Sequence, residues 1–457
     1  MKKINLKSVT VFFIFLIISL GFFTGCKKEE VIRIWVGAEV KDFYQKKADS
    51  WVQNYNSTNE KPFPYTVIVD QIDTGAAAAR FLDDTDSGAD MFTVAHDNLG
   101  RLIAGASAIG PITNQRLLAQ IQNDNPSIFL DVIKGTVGGV EYTFGVPYAS
   151  QALVLYYNKD YLTEEDVKTW EGIWAKARAN GKQSVTVNGD DGYNNSFLVL
   201  ATRVSDGMRA ANIYENGQFE NCNFTSDLAV AVMQWGQRFF TDTSSDGRVI
   251  YGARRVGDSG VDVELANEHS LSLIGGFWNL PAARAALGSK LGITVLPTFT
   301  LTASDVRGTN IEAGTVMYSG TFADTQMFVM KKFPQGSQKA EYVQELMMYL
   351  SSKEVQEEAF NETARIPSYK NATTEFAKMR EDTIEVLLTR TQVEMFERGR
   401  PQPFGPNARM NNWYYSQGAP LIVLDILTDR TTYSTTAQIR DGMAIVETIW
   451  KTGRRPE

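Results

Sequence analysis

The sequence predicts an α/β fold divided among two or three compact units, and three observations support this. Segments with strand and helix patterns alternate from Val31 onward, which is typical of parallel sheets joined by right-handed crossovers. The chain has 457 residues, enough for more than one unit at roughly 100–200 residues per domain. No internal repeat or low-complexity linker separates the units. We therefore expect the chain to cross between them several times.

The first elements alternate in type. Apolar residues over Val31–Val36 predict a buried strand, and the spacing of apolar residues over Lys41–Tyr55 predicts a helix. A strand rich in β-branched residues follows at Tyr65–Val69. Next come a predicted helix over Ala76–Leu82 and a short strand over Asp90–Val94. Ligands of such sheets bind at the loops that follow the carboxyl ends of strands, so we expect a site there.

The later elements are less regular. Phe144–Pro147 and Leu153–Tyr157 predict two closely spaced extended segments, helical spacing resumes after Thr163, and Ile293–Pro297 predicts another strand. The last third is predicted to be mostly helical, over Ala340–Leu350, Lys353–Phe360, Thr373–Leu388, Tyr414–Leu427 and Thr436–Lys451.

The N-terminus has the pattern of an export signal. Lys2, Lys3 and Lys7 precede an apolar run from Val11 to Phe23. The run is shorter than a membrane-spanning helix requires and ends in small residues, as a cleaved signal peptide does. An uncleaved anchor is the alternative.

The residues that end this run are similar to a bacterial lipobox, in which a cysteine is acylated and becomes the mature N-terminus. They read Phe23-Thr-Gly-Cys26, and Phe23 departs from the leucine that is usual there. The resemblance predicts a signal peptide over residues 1–25, a lipid on Cys26 and a charged tether over residues 26–30. The protein would then be anchored to the cell membrane on its extracytoplasmic side.

Composition excludes several function classes. The net charge of −8 argues against nucleic acid as a partner. The two cysteines are Cys26 and Cys222, so a lipid on the first leaves no intrachain disulfide. The two histidines, His96 and His269, leave few members for a zinc site or a histidine-based triad. We predict no cofactor, no metal and no catalytic residue, and the acidic run Asp83–Gly88 lacks EF-hand spacing.

Four segments together resemble bacterial extracellular solute-binding proteins of the maltose/maltodextrin-binding type. In chain order, they are Ser87–Gly100, Tyr148–Asp160, Lys168–Ile173 and Gly292–Phe299. The resemblance extends from about Val31 to the C-terminus. It implies a type II periplasmic-binding-protein fold, in which two α/β lobes with mixed sheets enclose a ligand cleft. Such a cleft closes by hinge motion.

The resemblance implies boundaries and a function as well. The first lobe would contain residues 31–149 plus 297–352, and the second lobe residues 150–296 plus 353–457. The protein would be a monomeric receptor that captures a sugar or oligosaccharide for the membrane permease of an ABC importer. Two alternatives stay open. One is an exported glycoside hydrolase that uses two carboxylates, and the other is a receptor of the same fold for a non-sugar solute.

Aromatic residues are the first site candidates, because the C–H faces of a sugar ring stack on aromatic rings. Trp278, Tyr193 and Trp413 match family positions, and each would supply a stacking surface. Packing in the core is the alternative for Trp278 and Trp413. The diglycine Gly275–Gly276 before Trp278 favours binding, because it would let the backbone approach a ligand closely. The polar turn around Tyr193 predicts that this ring is exposed.

Polar residues are the second group, because sugar hydroxyls need hydrogen-bond partners. Asp97 would bind hydroxyls, although it could also cap the helix that follows. Asn98 stands where the family has arginine, and Gln151 replaces a glutamate. Val94 stands where maltose-binding proteins have a tryptophan stacking surface.

Asp191, Asp70 and Glu39 complete the predicted site. Asp191 keeps a carboxylate beside the predicted tyrosine, and Asp70 ends the second predicted strand. Glu39 is what remains of an acid–lysine pair of the family. The departures from the family at Val94, Asn98 and Gln151 lie in the first half of the cleft. We therefore expect the ligand to be a sugar other than maltose, or an oligosaccharide of a different length.

Overall fold

The computed structural model describes residues 30–104, 108–188, 192–213, 222–257, 260–363, 365–370, 372, 383–400, 402, 414 and 416–456. Within these ranges the chain forms two lobes, each with its own hydrophobic core. No helix in them is long and apolar enough to cross a membrane.

The strands are β1 (Val31–Val36), β2 (Thr66–Gln71), β3 (Met91–Ala95), β4 (Ile109–Gly110), β5 (Lys134–Val137), β6 (Val140–Thr143), β7 (Gly145–Ala152), β8 (Val154–Asn158), β9 (Val185–Asn188), β10 (Thr202–Arg203), β11 (Ala253–Val256), β12 (Ser272–Gly275), β13 (Leu291–Thr294), β14 (Thr298–Thr300), β15 (Val316–Tyr318) and β16 (Ala323–Lys331).

The helices are α1 (Lys41–Thr58), α2 (Thr74–Asp83), α3 (Leu99–Ala104), α4 (Gln115–Asp124), α5 (Ser127–Val132), α6 (Trp170–Asn180), α7 (Ser196–Val199), α8 (Asp227–Thr241), α9 (Val261–Ala266), α10 (Leu280–Leu287), α11 (Gln338–Leu350), α12 (Lys353–Thr363), α13 (Ile384–Arg398), α14 (Ala419–Thr428) and α15 (Thr436–Thr452).

The first lobe contains a mixed sheet in the order β2-β1-β3-β16-β4, and β7 also pairs with β16. Strands β1, β2 and β3 run parallel, whereas β16 is antiparallel to both β3 and β7. Every residue of β7 is buried, and so is every residue of β16 except the last, so these two strands occupy the centre of the lobe. Predicted strands over Val31–Val36 and Tyr65–Val69 correspond to β1 and β2.

The second lobe contains a sheet in the order β11-β9-β12-β8-β13. Strands β11, β9 and β12 are parallel, and β8 is antiparallel to β12 and β13 on either side. A small antiparallel sheet, β10-β15-β14, packs into the same core. The predicted strand Ile293–Pro297 falls across the end of β13 and stops before β14.

Within the described residues, the chain crosses between the lobes at three places. The first crossing lies between β7 and β8, and the second lies just before β16. The third lies between α12 and α13, because α12 packs on the first core while Leu388 and Met395 of α13 belong to the second. The sequence predicted several crossings between the lobes.

The lobe boundaries differ from the prediction, which placed residues 297–352 in the first lobe. Phe299, Leu301 and Met317 pack in the second core, because β14 and β15 form their small sheet there. The return to the first lobe is made by β16, not by the strand near Ile293. Val355 and Ala359 of α12 pack in the first core, so that lobe extends past residue 352.

Two of the predicted C-terminal helices also differ. The described part of the helix predicted over Thr373–Leu388 begins at Ile384 and continues to Arg398, while residues 373–382 lie outside the described residues. The helix predicted from Tyr414 begins at Ala419, directly after Gly418 in a left-handed conformation with φ of 73°. Proline at the start of α14 suits this position, because its missing N–H has no partner in a first turn.

Candidate functional site

A cavity of about 990 Å³ lies between the two lobes. Its volume is at the upper end of the roughly 300–1,000 Å³ that is usual for small-molecule sites. Side chains from both sheets line it, with carboxylates, amides and aromatic rings predominating. It therefore offers a concave site with many hydrogen-bonding groups and few charged donors.

Short 3-10 turns at the carboxyl ends of three strands carry much of this lining. Ala38–Val40 follows β1, His96–Asn98 follows β3 and Phe277–Asn279 follows β12, and each turn leads directly into a helix. A turn in this position points side chains away from the sheet edge into the space between the lobes. This is the region in which open α/β sheets bind ligands.

The second lobe contributes a cluster of aromatic rings. Trp278 is 39% exposed and lines the cavity, as does Phe277, whose ring packs edge-on against it at 5.3 Å and 79°. The Tyr193 ring lies 6.0 Å from that of Trp278 and stacks on Phe322 at 5.7 Å. Tyr193 also lines the cavity, but only 9% of it is exposed, so the predicted exposure is wrong.

The diglycine before Trp278 has a different role from the one predicted. A Cβ on Gly276 would lie 2.2 Å from the Trp278 ring, and one on Gly275 would lie 2.3 Å from the Asn279 Oδ1. The two glycines make room for the tryptophan ring and the asparagine amide that line the cavity. The Gly276 carbonyl also accepts a hydrogen bond from the Tyr156 hydroxyl at 2.7 Å, which fixes the turn.

In the first lobe, Asp97 and Asn98 lie side by side on the cavity wall and are both buried. Asn98 Nδ2 donates to Asp97 Oδ1 at 2.9 Å, and the Arg101 guanidinium donates to Asn98 Oδ1. Burial lowers the pKa of Arg101, although Asp97 acts in the opposite sense. A guanidinium therefore stands behind Asn98, where the sequence had suggested that the charged donor was lost.

A buried hydrogen-bonded network forms the base of the cleft around Arg365, which is 1% exposed. Its Nη1 donates to the Tyr148 hydroxyl at 2.8 Å and also to Gln326 Oε1, while Nη2 donates to Glu39. Gln326 Nε2 in turn donates to Gln151 Oε1 at 2.9 Å. Glu39, Gln151 and Gln326 all line the cavity, so Arg365 orients side chains that a ligand would meet.

The charges of this network are settled by burial and by neighbouring groups. Burial raises the pKa of Tyr148 to about 12, so this hydroxyl stays protonated. Burial lowers the pKa of Arg365, but Tyr148, Glu39 and Tyr44 outweigh it, and the pKa is raised overall. The guanidinium therefore remains charged, as a buried partner of Glu39 must.

A second buried cluster connects three chain segments beside the cleft. His96 Nε2 donates to the Gln402 carbonyl oxygen at 2.7 Å, and its Nδ1 lies 3.4 Å from Asp324 Oδ1. Gln402 Nε2 donates to Asp324 Oδ2 at 2.7 Å, and Gln402 lines the cavity. The cluster joins the end of β3, the start of β16 and the segment after α13, and of these the start of β16 lies at a lobe crossing.

The remaining polar lining residues come from strand and helix ends. Asn188 ends β9, and Asp73 caps α2 by accepting from the Gly75 N–H at 2.8 Å. Asp262 accepts from Asn279 Nδ2 at 3.2 Å. Burial raises the pKa of Asp262, and the hydrogen bond from Asn279 acts against this. In the described part of the chain, no group of three or more His, Cys, Asp or Glu side chains could hold a metal ion.

The structure brings most of the predicted site together. The predicted residues that line the one cavity are Glu39, Asp97, Asn98, Gln151, Tyr193 and Trp278. Asp70 does not join them, because it pairs with Arg33 and lines a separate surface depression on the edge of the first sheet. Trp413, Asp191 and Cys26 lie outside the described residues. Val94 is fully buried within β3.

Several lining residues were missed by sequence analysis, and none of them has a strong local signal. They are Asp73, Thr74, Gly75, Asn188, Asn194, Asp262, Asn279, Gln326, Gln402, Pro420 and Leu421. A strand-end position could have indicated Asn188. Gln326 and Gln402 reach the cleft only because the chain crosses between the lobes more than once, which no local pattern reveals.

This chain resembles known proteins in sequence and in fold. A galactooligosaccharide-binding protein of Bacillus subtilis (strain 168) is 24% identical over 317 residues, or 66% of this chain. The match spans 65% of that relative's length, slightly under two thirds.

Solved structures show the same fold. A maltodextrin-binding protein from L. casei BL23, without ligand, aligns with a TM-score of 0.69 at 20% identity, over 93% of this chain and 99% of that one. A cyclo/maltodextrin-binding protein complexed with maltotetraose aligns with a TM-score of 0.64 at 18% identity, over 93% and 98%. The family model described as bacterial extracellular solute-binding protein matches residues 50–383, most of the chain. The chain therefore belongs to the family of bacterial extracellular solute-binding proteins.

Proposed function

We propose that this protein is the substrate-binding lipoprotein of a carbohydrate ABC importer. It captures a sugar or oligosaccharide between its lobes and delivers it to the membrane permease. The observation that carries the proposal is the pairing, across one cavity, of the exposed Trp278 ring with Asp97, Gln151 and Glu39. An aromatic face opposite carboxylate and amide groups suits a molecule with C–H faces and a rim of hydroxyls.

The relatives support the same ligand class. One is named for galactooligosaccharide binding, and two are named for maltodextrin binding. Val94 supplies no aromatic ring in the first lobe, so the stacking contact comes from the second. This arrangement favours an oligosaccharide with a contact pattern other than that of maltose.

The physical task of the protein is closure and not catalysis. A ligand that touches Trp278 on one lobe and Asp97 on the other stabilises the closed arrangement more than the open one. The three crossing segments supply the hinge for this motion. The closed form would then be the one that the permease recognises.

The experiment is a thermal-shift and calorimetric screen with maltotetraose, galactooligosaccharides and other neutral sugars. A ligand that binds only the folded protein stabilises it, by about 2.7 kcal/mol at one hundred times its Kd. We expect one-to-one binding of at least one oligosaccharide. If no saccharide in the panel binds, and a polyol or a peptide raises the melting temperature instead, the protein is a receptor for a non-sugar solute.

The alternative of a glycoside hydrolase has one observation in its favour. Asp262 lines the cavity, and burial raises its pKa, as a general acid requires. The same incubations therefore include chromatography of the sugars after several hours. Intact oligosaccharides in the presence of stoichiometric binding support the receptor, whereas accumulating shorter products would establish the hydrolase.

The lipid anchor is tested separately, since Cys26 lies outside the described residues. We expect Cys26→Ser to move the protein from the membrane fraction to the soluble fraction. Cys222→Ser is the matched control, because Cys222 is buried within the second core and should leave membrane association unchanged. Membrane association that persists in Cys26→Ser would indicate an uncleaved N-terminal anchor.

A further inference from the structure

The charged residues that line the cleft have one sign. Glu39, Asp73, Asp97 and Asp262 contribute carboxylates, and no lysine, arginine or histidine is found among the described lining residues. The remaining polar groups of the lining are neutral, and most of them are amides. Whether the cleft has a negative field depends on which carboxylates have cations behind them.

Two of the four carboxylates have a guanidinium nearby. The Arg365 guanidinium donates to Glu39, and Arg101 stands behind Asp97 through Asn98. These pairs reduce the charge that a ligand would encounter in the first lobe, because opposite charges at short distance cancel at longer range.

Among the described residues, the other two carboxylates accept hydrogen bonds only from neutral donors. Asp73 accepts from the backbone N–H of Gly75 at 2.8 Å, and Asp262 accepts from the amide of Asn279 at 3.2 Å. One belongs to the first lobe and the other to the second, so the negative charge acts on the ligand from both walls. A hydrogen bond from a neutral donor orients a carboxylate without cancelling its charge.

We infer that the cleft selects saccharides by charge, admitting neutral and basic sugars and rejecting acidic ones. The inference rests on the proposed function. A uronate carboxylate in the cavity would meet these two negative charges, and the repulsion between like charges strengthens when closure of the lobes excludes water. A protonated amino group on the same sugar would meet a favourable field.

The test compares sugars that differ at a single position. Maltotetraose and a galactotetraose are each used in three forms, with hydroxymethyl, carboxylate or aminomethyl at C5 of the terminal residue. Titration calorimetry is done with the full chain at low salt. We expect the acidic form to bind at least about a hundredfold more weakly than its neutral parent. The basic form should bind at least as tightly as the neutral parent, and raising the salt should narrow these differences.

Matched variants identify the charges that are responsible. Asp73→Asn with Asp262→Asn keeps a hydrogen-bonding side chain at each position, since asparagine also caps helices well. We expect this double variant to bind the acidic and neutral forms within about tenfold of each other. Asp49→Asn, on the exposed face of α1, should keep the full difference.

The outcomes separate the two proposals. If no saccharide binds in any form, both proposals fail. If the neutral parent binds and its acidic form binds within about tenfold of it, only the charge selectivity fails. The charge selectivity alone also fails if the basic form binds more than about tenfold more weakly than the neutral parent.

Discussion

The guanidinium of Arg365 lies 4.7 Å from the centre of the Phe277 ring, and it also donates a hydrogen bond to Glu39. One buried side chain thus contacts an aromatic ring of the second lobe and a carboxylate of the first. Phe277 packs edge-on against Trp278. The contacts therefore run without interruption from Glu39 to the exposed tryptophan, and Arg365 fixes the position of one relative to the other.

Replacing Arg365 should weaken both the fold and the site. Arg365→Met removes the charged donor that joins Tyr148, Gln326 and Glu39, and a hydrogen bond to a charged group typically contributes about 1.5–3 kcal/mol to the free energy of unfolding. Arg365→Lys keeps the charge but cannot contact Tyr148, Gln326 and Glu39 together, because an ammonium lacks the planar fork of donors. We expect the lysine variant to fold and to bind its sugar at least about tenfold more weakly.

Urea unfolding and calorimetry measure the two effects separately. Arg80→Lys is the control, because Arg80 also lies over an aromatic ring, that of Trp35, at 5.8 Å but does not line the cavity. Arg80→Lys should change neither the free energy of unfolding nor the sugar affinity by much. Normal sugar affinity in the Arg365→Lys variant would show that this arginine does not position the site.

Trp278 is expected to supply most of the stacking energy. Trp278→Ala should weaken sugar binding at least about tenfold, since stacking on an aromatic ring contributes on the order of 1 kcal/mol beyond buried area. It should also abolish most of the sugar-induced change in tryptophan fluorescence. Trp278→Phe should recover part of the affinity. Trp51→Phe, which alters a cluster with Tyr55 and Phe63 in the first lobe, should retain both signals.

Sequence patterns predicted β1 and β3 from short apolar segments and β2 from its β-branched residues. They missed β16, the central strand of the first lobe. After Ala323 it continues with Asp324, Thr325 and Gln326, all buried, and these polar residues conceal the apolar run Met327–Met330. They also missed α8, most of whose residues are buried in the second core.

The site divides in the same way. Residues in short motifs directly after strands, such as Asp97 and Trp278, were predicted because resemblance and strand-end position agreed. Arg365 and Gln402 were not, because they approach the cleft from segments far along the chain. Their roles depend on how α12 and α13 pack against the two lobes, which is decided by tertiary contacts and not by local pattern.

Gly276 should matter only because of the ring beside it. A Cβ there would lie 2.2 Å from the Trp278 ring, so Gly276→Ala must displace the indole. We expect sugar affinity to fall by about tenfold, with a smaller loss of stability. In a Trp278→Ala background the same change should have little further effect on affinity, which calorimetry on the four proteins would measure. Equal losses in both backgrounds would contradict this role.

The half-buried carboxyl of Asp262 should make stability depend on pH. Burial raises its pKa, so the folded chain holds this proton more readily than the unfolded chain does. The ionised carboxyl therefore costs stability once the pH is above the raised pKa, and the cost disappears below the ordinary aspartate pKa.

Asp262→Asn should raise Tm at neutral pH and leave it nearly unchanged at about pH 3, where the aspartate is largely protonated. Melting curves of both proteins across this range measure the difference, and Asp49→Asn, on an exposed helix face, should show none. A gain in Tm that is as large at about pH 3 as at neutral pH would mean that packing, and not ionisation, is responsible.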